Sequence, residues 1–148
     1  MRIVRATAED AETLHALQSR HLQYDAQVAK IAKSEDTGVI KHSLKGRIAL
    51  IAKHRGVPLG AIRARDRGRF VYIDALWVPD MTRRPSIGIL LLLTLEESFP
   101  PDRHYQVRAV HGDPASYRVY GKAGYRLVFE DKRPDGLALR LFEKGAPT

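Results

Sequence analysis

Two arginines stand between a strand that is predicted to be buried and an apolar helix. The stretch from Val78 to Gly88 reads VPDMTRRPSIG, and it places Arg83, Arg84 and Ser86 at the start of that helix. The first N–H groups of a helix lack partners and carry the positive end of its dipole. Such a helix start binds anions, and arginines beside it add a permanent positive charge. The pattern predicts a phosphate site, and a solvated loop before a core helix is the alternative.

Two further polar residues belong to strands and are candidate general bases. Asp74 lies in the otherwise apolar segment YIDALWV, where a carboxylate needs a partner or a function. Side chains alternate along a strand, so counting back in twos from Val78 puts Asp74 and Leu76 on the same face. A salt bridge to an arginine is the alternative for Asp74. His111, at the end of the next strand, is the rival base, with a structural role as its alternative.

The elements that position these residues follow from hydrophobic periodicity and turn residues. After a first strand at residues 3–5, two helices are predicted over 8–24 and about 34–46. Three strands separated by short turns follow, which predicts an antiparallel meander over residues 47–53, 57–66 and 70–78.

The second half of the chain predicts a crossover. A helix over residues 87–99 joins the third meander strand to a strand over 105–110, which makes those two strands parallel neighbours. A helix from Pro114 to Gly124 and a last hairpin over 125–131 and 137–144 complete the order. The predicted fold class is α+β: a mixed, mainly antiparallel sheet of six to seven strands. Helices cover both faces, and a cleft lies between the two diverging parallel strands.

Composition limits the classes of protein that this chain can be. Its 148 residues suit one domain, residues 1–148. It has no cysteine, which excludes disulfides, thiolate metal sites and a cysteine nucleophile and fits a cytoplasmic setting. No secretory signal is visible, and the longest apolar run, Ile87 to Leu93, is shorter than the roughly 20 residues of a membrane span.

The net charge of +8 favours partners that carry phosphate, whether a nucleotide-like cofactor, a nucleic acid or an acidic protein. The 25 lysines and arginines are dispersed, and no run of five or more occurs. Dispersed charge is typical of a solvated surface, so nucleic-acid binding is not indicated. A basic protein that associates with nucleic acid stays as an alternative.

The order of elements and two motifs resemble the GNAT superfamily of acyl-CoA-dependent N-acetyltransferases, from Ile3 to about Phe142. The central motif of that family, Arg/Gln-x-x-Gly-x-Gly/Ala, matches the segment RRPSIG. A second motif, Asn-x-x-Ala followed by Tyr-x-Lys-x-Gly-Phe, resembles DPA and YGKAGY in residues 113–125. Two departures affect cofactor binding, because Ser86 replaces a glycine and Pro85 has no N–H to offer.

The resemblance implies direct transfer of an acetyl group from acetyl-CoA to a primary amine in a ternary complex, without a metal. It implies that the Val78 amide donates to the acyl carbonyl and that Tyr120 protonates the leaving thiolate. The implied cofactor contacts are Val78, Arg83, Arg84, Ser86, Ile87, Gly88 and Lys122. The acceptor, a small-molecule or peptide amine, is expected near Tyr24, Asp25 and His111, with Glu35 and Asp36 as helix-capping residues close by.

Two other readings of the resemblance stay open. The Pro85-Ser86 loop is compatible with a non-catalytic GNAT-like module that binds CoA or a partner without transferring an acetyl group. A homodimer formed through a sheet edge is also compatible with the family. A membrane partner is not expected.

Overall fold

The computed structural model describes residues 1–23, 35–81, 83–110, 114–132, 134 and 138–145. The strands are β1 (Arg2–Arg5), β2 (Ile48–His54), β3 (Val57–Asp66), β4 (Val71–Trp77), β5 (Tyr105–Val110), β6 (Arg126–Lys132) and β7 (Ala138–Lys144). The helices are α1 (Ala11–Gln23), α2 (Thr37–Ser43), α3 (Pro85–Glu97) and α4 (Pro114–Lys122). Short 3-10 turns at Ala8–Asp10 and Leu44–Gly46 precede α1 and follow α2.

The strands form a seven-stranded sheet in the order β1-β2-β3-β4-β5-β7-β6. The pair β4 and β5 is parallel, and the other five pairs are antiparallel. The chain passes from β4 to β5 through α3, as a parallel pair requires. The predicted meander, the crossover and the α+β class are confirmed.

Local sequence explains where several helices begin and end. The Asp36 carboxylate accepts a hydrogen bond from the Val39 amide at 2.8 Å and so caps α2, as expected. Pro85 is the first residue of α3, a position whose N–H has no partner within a helix. Gly124 follows α4 with a φ of +95°, a conformation that favours glycine.

Two clusters of buried residues cover the two faces of the sheet. The cluster on the α3 and α4 side includes Val78, Ile87, Leu91, Val119 and Tyr120. The cluster on the α1 and α2 side includes Leu14, Leu17, Ile40, Ala75 and Trp77. Helices therefore cover both faces, as predicted.

The buried face of α3 differs from the predicted one. The helix buries Ile87, Gly88, Leu91, Leu92 and Leu95 and leaves Leu90 39% exposed. Helical spacing predicts Ile87, Leu90, Leu91, Thr94 and Leu95 on the buried face. This prediction is wrong for Leu90, because a helix that is apolar nearly all round has no distinct apolar stripe. α3 has only 13 residues, and none of the helices in the described ranges is long and apolar enough to cross a membrane.

Candidate active site

β4 and β5 pair along only part of their length. Their register runs from Val71 opposite Tyr105 to Ile73 opposite Val107 and then ends. β4 continues to Trp77 and β5 to Val110, so the final residues of both strands are not paired with each other. Val78 directly follows β4 at this end of the sheet. The predicted divergence of the two parallel strands is confirmed.

A bulge in β4 changes the face on which Asp74 lies. Arg63 of β3 is opposite Ala75, whereas the next residue, Ala64, is opposite Ile73, so Asp74 is an extra residue on β4. The extra residue breaks the alternation of side chains. Ile73 and Ala75 are two residues apart and would share a face of an unbroken strand, yet Ile73 lies with Val78 in the cluster under α3 and Ala75 lies in the cluster under α1. Asp74 pairs with Arg63, which lies over Trp77 of the cluster under α1, so the expectation that Asp74 shares the face of Val78 was wrong. Counting in twos assumes an unbroken strand.

Asp74 is held by two arginines. Its Oδ1 accepts from Arg63 Nε at 2.8 Å and its Oδ2 accepts from Arg47 Nε at 2.6 Å. The Arg63 guanidinium also donates two hydrogen bonds to Glu35, at 2.9 and 3.1 Å, and lies 5.3 Å from the centre of the Trp77 ring. Both carboxylate oxygens of Asp74 are engaged, so the salt-bridge alternative is confirmed. Glu35 is a partner of Arg63, and Asp36 is the residue that caps α2.

Burial and the two carboxylates shift the pKa of Arg63 in opposite directions. The Arg63 side chain is only 7% exposed. Burial lowers the pKa of the guanidinium, but hydrogen bonds to Glu35 and Asp74 outweigh it and raise the pKa. The arginine is therefore charged at every physiological pH. The charges of this buried network therefore depend on one another. Removal of one member leaves the charges of its partners uncompensated.

The start of α3 has the features predicted for an anion site. Arg83, Arg84 and Ser86 are exposed, and the side chain of the N-cap residue, Arg84, does not cap the helix. Arg84 lies 3.8 Å from Asp80 in a pair whose side chains are 54% and 35% exposed, so the pair is weak. The Ile87 amide donates to the Arg84 carbonyl at 3.2 Å. Because Pro85 has no N–H, Ser86 carries the first helical amide.

Two glycines set the position of α3. A Cβ on Gly88 would lie 3.0 Å from Val119 Cγ1, so Gly88 lets α3 approach α4 closely. A Cβ on Gly60, in β3, would lie 3.0 Å from Val78 Cγ2 and 3.1 Å from Ile87 Cγ2. Gly60 was not predicted from sequence, although a glycine inside a strand often marks such an approach. Together they let the start of α3 lie beside Val78.

We expect Gly88→Val to destabilise the protein by about 1–3 kcal/mol, the usual cost of inserting atoms into a packed contact. Val119 is fully buried and has little room to move. The measurement is chemical denaturation of purified variants. Gly121→Ala is the matched control, because a Cβ at Gly121 of α4 meets nothing within 4 Å. The Gly121→Ala variant should gain up to about 1 kcal/mol of stability from helix propensity. An equal loss of stability in both variants would refute the packing explanation.

Tyr120 lies in the same cluster as Val78 and Ile87. Its side chain is 6% exposed, and its ring centre is 5.0 Å from that of Phe142. Lys122, at the end of α4, is exposed. The structure thus places Val78 and Tyr120 in one buried cluster on the α3 and α4 side of the sheet, and it places Asp74 on the opposite side.

Three predicted acceptor residues, Tyr24, Asp25 and His111, lie outside the described residues. A histidine that the sequence prediction missed lies next to Val78. His21, in the last turn of α1, has its Nδ1 3.3 Å from the Val78 carbonyl oxygen. The sequence contained one indication of it, because His21 continues the i, i+3, i+7 spacing of the buried Leu14 and Leu17.

Comparison with known proteins identifies the fold. No family model and no curated protein sequence matches the chain. Among similar solved structures is PaiA N-acetyltransferase from Thermoplasma acidophilum in complex with coenzyme A, with 17% identity over 99% of this chain and 100% of the other and a TM-score of 0.74. An aminoglycoside 6'-N-acetyltransferase complexed with coenzyme A has 17% identity over 100% and 99% of the two chains and a TM-score of 0.75. An acetyltransferase of the GNAT family from Bacillus cereus ATCC 10987 has 16% identity over 99% and 98% and a TM-score of 0.71. The protein therefore has the GNAT acetyltransferase fold.

Proposed function

We propose that the protein is an N-acetyltransferase that moves an acetyl group from acetyl-CoA to a primary amine by direct attack. The observation that carries this proposal is the end of the β4–β5 pairing after Ile73, which leaves Val78 beside the start of α3. A strand end that has separated from its parallel neighbour, next to an arginine-flanked helix start, suits a ligand that combines a reactive carbonyl with phosphates. The single domain over residues 1–148 is part of the same proposal.

The start of α3 fits the phosphates of the acyl donor. Acetyl-CoA supplies an activated acetyl thioester together with phosphate groups that need cationic partners. Arg83 and Arg84 are exposed at the start of α3, where the Arg84 side chain does not cap the helix, and Ser86 contributes an amide and a hydroxyl. The exposed Lys122 adds a cation. Gly88 and the Ile87 side chain act through packing, since both are buried.

Val78 and Tyr120 take the two chemical roles. The Val78 N–H donates to the acyl carbonyl oxygen, where negative charge develops during attack, and one such donor contributes about 3 kcal/mol. The Tyr120 hydroxyl donates a proton to the leaving thiolate. Tyr120 is nearly buried among aromatic rings, which fixes the ring and limits the access of water.

The acceptor is a primary amine on a small molecule or a peptide. One structure of the same fold is named an aminoglycoside 6'-N-acetyltransferase, and its name supports a small-molecule amine. Glu35 and Asp74 are paired with arginines, so their charges are already compensated. An amine panel should therefore include neutral and acidic amines beside polycations.

We expect acetyl-CoA to raise the melting temperature, because a ligand that binds only the folded state stabilises it. At about 100 times Kd the gain is about 2.7 kcal/mol, which corresponds to roughly 5–10 °C for a chain of this size. Free CoA should act similarly and ATP should not. Arg83→Glu combined with Arg84→Glu should remove the shift. No saturable shift in the wild type would refute the proposed cofactor site.

Transfer itself is measured as the amine-dependent release of free CoA thiol. A shift with acetyl-CoA but no release with any amine would favour the non-catalytic module. Salt-sensitive binding to RNA or DNA without a CoA shift would favour the basic nucleic-acid-associated protein.

A further inference from the structure

We infer that His21 is the general base that takes a proton from the acceptor amine, an inference that rests on the proposed function. His21 Nδ1 lies 3.3 Å from the carbonyl oxygen of Val78, the residue whose amide is proposed to hold the acyl group. The imidazole therefore contacts the same residue that is proposed to hold the reacting carbonyl group. Histidine is the side chain best suited to proton transfer near neutral pH.

The position of His21 in α1 is unusual for a polar residue. Leu14, Leu17 and Gln18 are buried, at 1%, 2% and 3% exposure, and His21 continues their stripe. An apolar side chain is the common occupant of the next position on such a stripe. α1 reaches Val78 at this position, and an apolar side chain there offers the Val78 carbonyl no hydrogen-bond donor.

The contact with Val78 fixes the tautomer of the imidazole. A carbonyl oxygen only accepts, so the hydrogen bond requires the proton on Nδ1. In the neutral ring, Nε2 is then the basic nitrogen. A base that is oriented through its other nitrogen is the arrangement found in nucleophile–base–orienter sites.

The alternative base, the Asp74 carboxylate, is already engaged. Both of its oxygens accept hydrogen bonds from guanidinium groups. To accept a proton, Asp74 would have to give up one of these two ion pairs.

The proton balance of the step is as follows. As the amine nitrogen forms its bond to the acetyl carbon, its proton passes to His21 Nε2. The carbon–sulfur bond breaks, and the sulfur receives a proton from the Tyr120 hydroxyl. His21 then returns its proton to solvent and Tyr120 regains one, so the net products are an N-acetyl amine and free CoA.

Two variants of His21 separate a base from a structural residue. His21→Gln retains an N–H for the Val78 carbonyl but has no basic nitrogen, and His21→Ala removes both. We expect both to lower kcat by about 10²-fold or more while the acetyl-CoA melting shift changes by less than twofold. Added imidazole should raise the kcat of His21→Ala at least about tenfold and leave His21→Gln unchanged, because only His21→Ala leaves a space for it.

A measurement without substrate tests the tautomer. In ¹⁵N NMR of the wild-type protein, the neutral form of the His21 imidazole should carry its proton on Nδ1 and none on Nε2. His15→Ala, which changes another half-buried histidine of α1, is the control and should keep full activity.

The inference is overturned if His21→Gln retains kcat within about threefold of wild type, or if the ring carries its proton on Nε2. A wild-type protein that transfers to no amine refutes the proposed function instead, and the inference with it. An active wild type with active His21 variants refutes the inference alone.

Discussion

Tyr120→Phe should lower kcat by about 10²–10⁴-fold, the usual contribution of a positioned acid. The substitution removes one oxygen and keeps the ring against Phe142, whose centre is 5.0 Å away. The KM for acetyl-CoA should change by less than about threefold, because the loss concerns a charge that develops only on the leaving sulfur. Steady-state kinetics with the best acceptor measures both parameters.

Tyr117→Phe is the matched control for this prediction. Tyr117 lies one turn earlier on α4 and also stacks on Phe142, at 5.5 Å. Its hydroxyl accepts a hydrogen bond from Arg140, so its loss should cost about 1 kcal/mol of stability and leave kcat unchanged. Equal losses of kcat in both variants would show that α4 packing, and not the Tyr120 proton, limits the reaction. Full activity in Tyr120→Phe would exclude Tyr120 as the acid.

Most of the fold could be predicted from the sequence because nearby residues mark where each helix and strand begins and ends. β3 and β5 have the predicted bounds, Val57–Asp66 and Tyr105–Val110, since turn residues and β-branched runs mark their ends. The order of elements then determined the parallel pair through the handedness of the crossover. The buried face of α3 could not be predicted, because Leu90 and Leu92 are identical in type and differ only in their tertiary neighbours.

The site was only partly predictable, and the reasons are physical. The arginines at the start of α3 follow from a helix boundary, which is local. The face of Asp74 depends on a one-residue bulge opposite Arg63, which is a property of two strands together. The approach of His21 to Val78 joins residues 57 positions apart in the chain, so spacing within α1 indicates the face but not the partner. The predicted homodimer stays a prediction; at the sheet edge, β6 leaves Leu127 and Phe129 48% and 55% exposed.

Arg63→Met should destabilise the protein by about 3 kcal/mol, the lower end of the range for breaking a buried ion pair. The arginine side chain is 7% exposed and binds Glu35 and Asp74, whose side chains are 27% and 13% exposed. Methionine fills a similar volume against Trp77 but leaves both carboxylates without their shared cation. Asp74 retains Arg47, which limits the loss. The corresponding fall in melting temperature is roughly 6–12 °C for a chain of this length.

Arg65→Met separates this effect from a general change in charge, because Arg65 lies on the same strand two residues later and is exposed. It should change stability by less than about 0.5 kcal/mol. Asp74→Asn, made in parallel, tests whether the carboxylate is structural or catalytic. If the network is structural, this variant loses stability, and the kcat of its folded fraction stays within a few-fold of wild type. A loss of kcat of about 10²-fold or more in a variant with wild-type stability would instead return the base role to Asp74, because only a proton-transfer role separates rate from folding in this way.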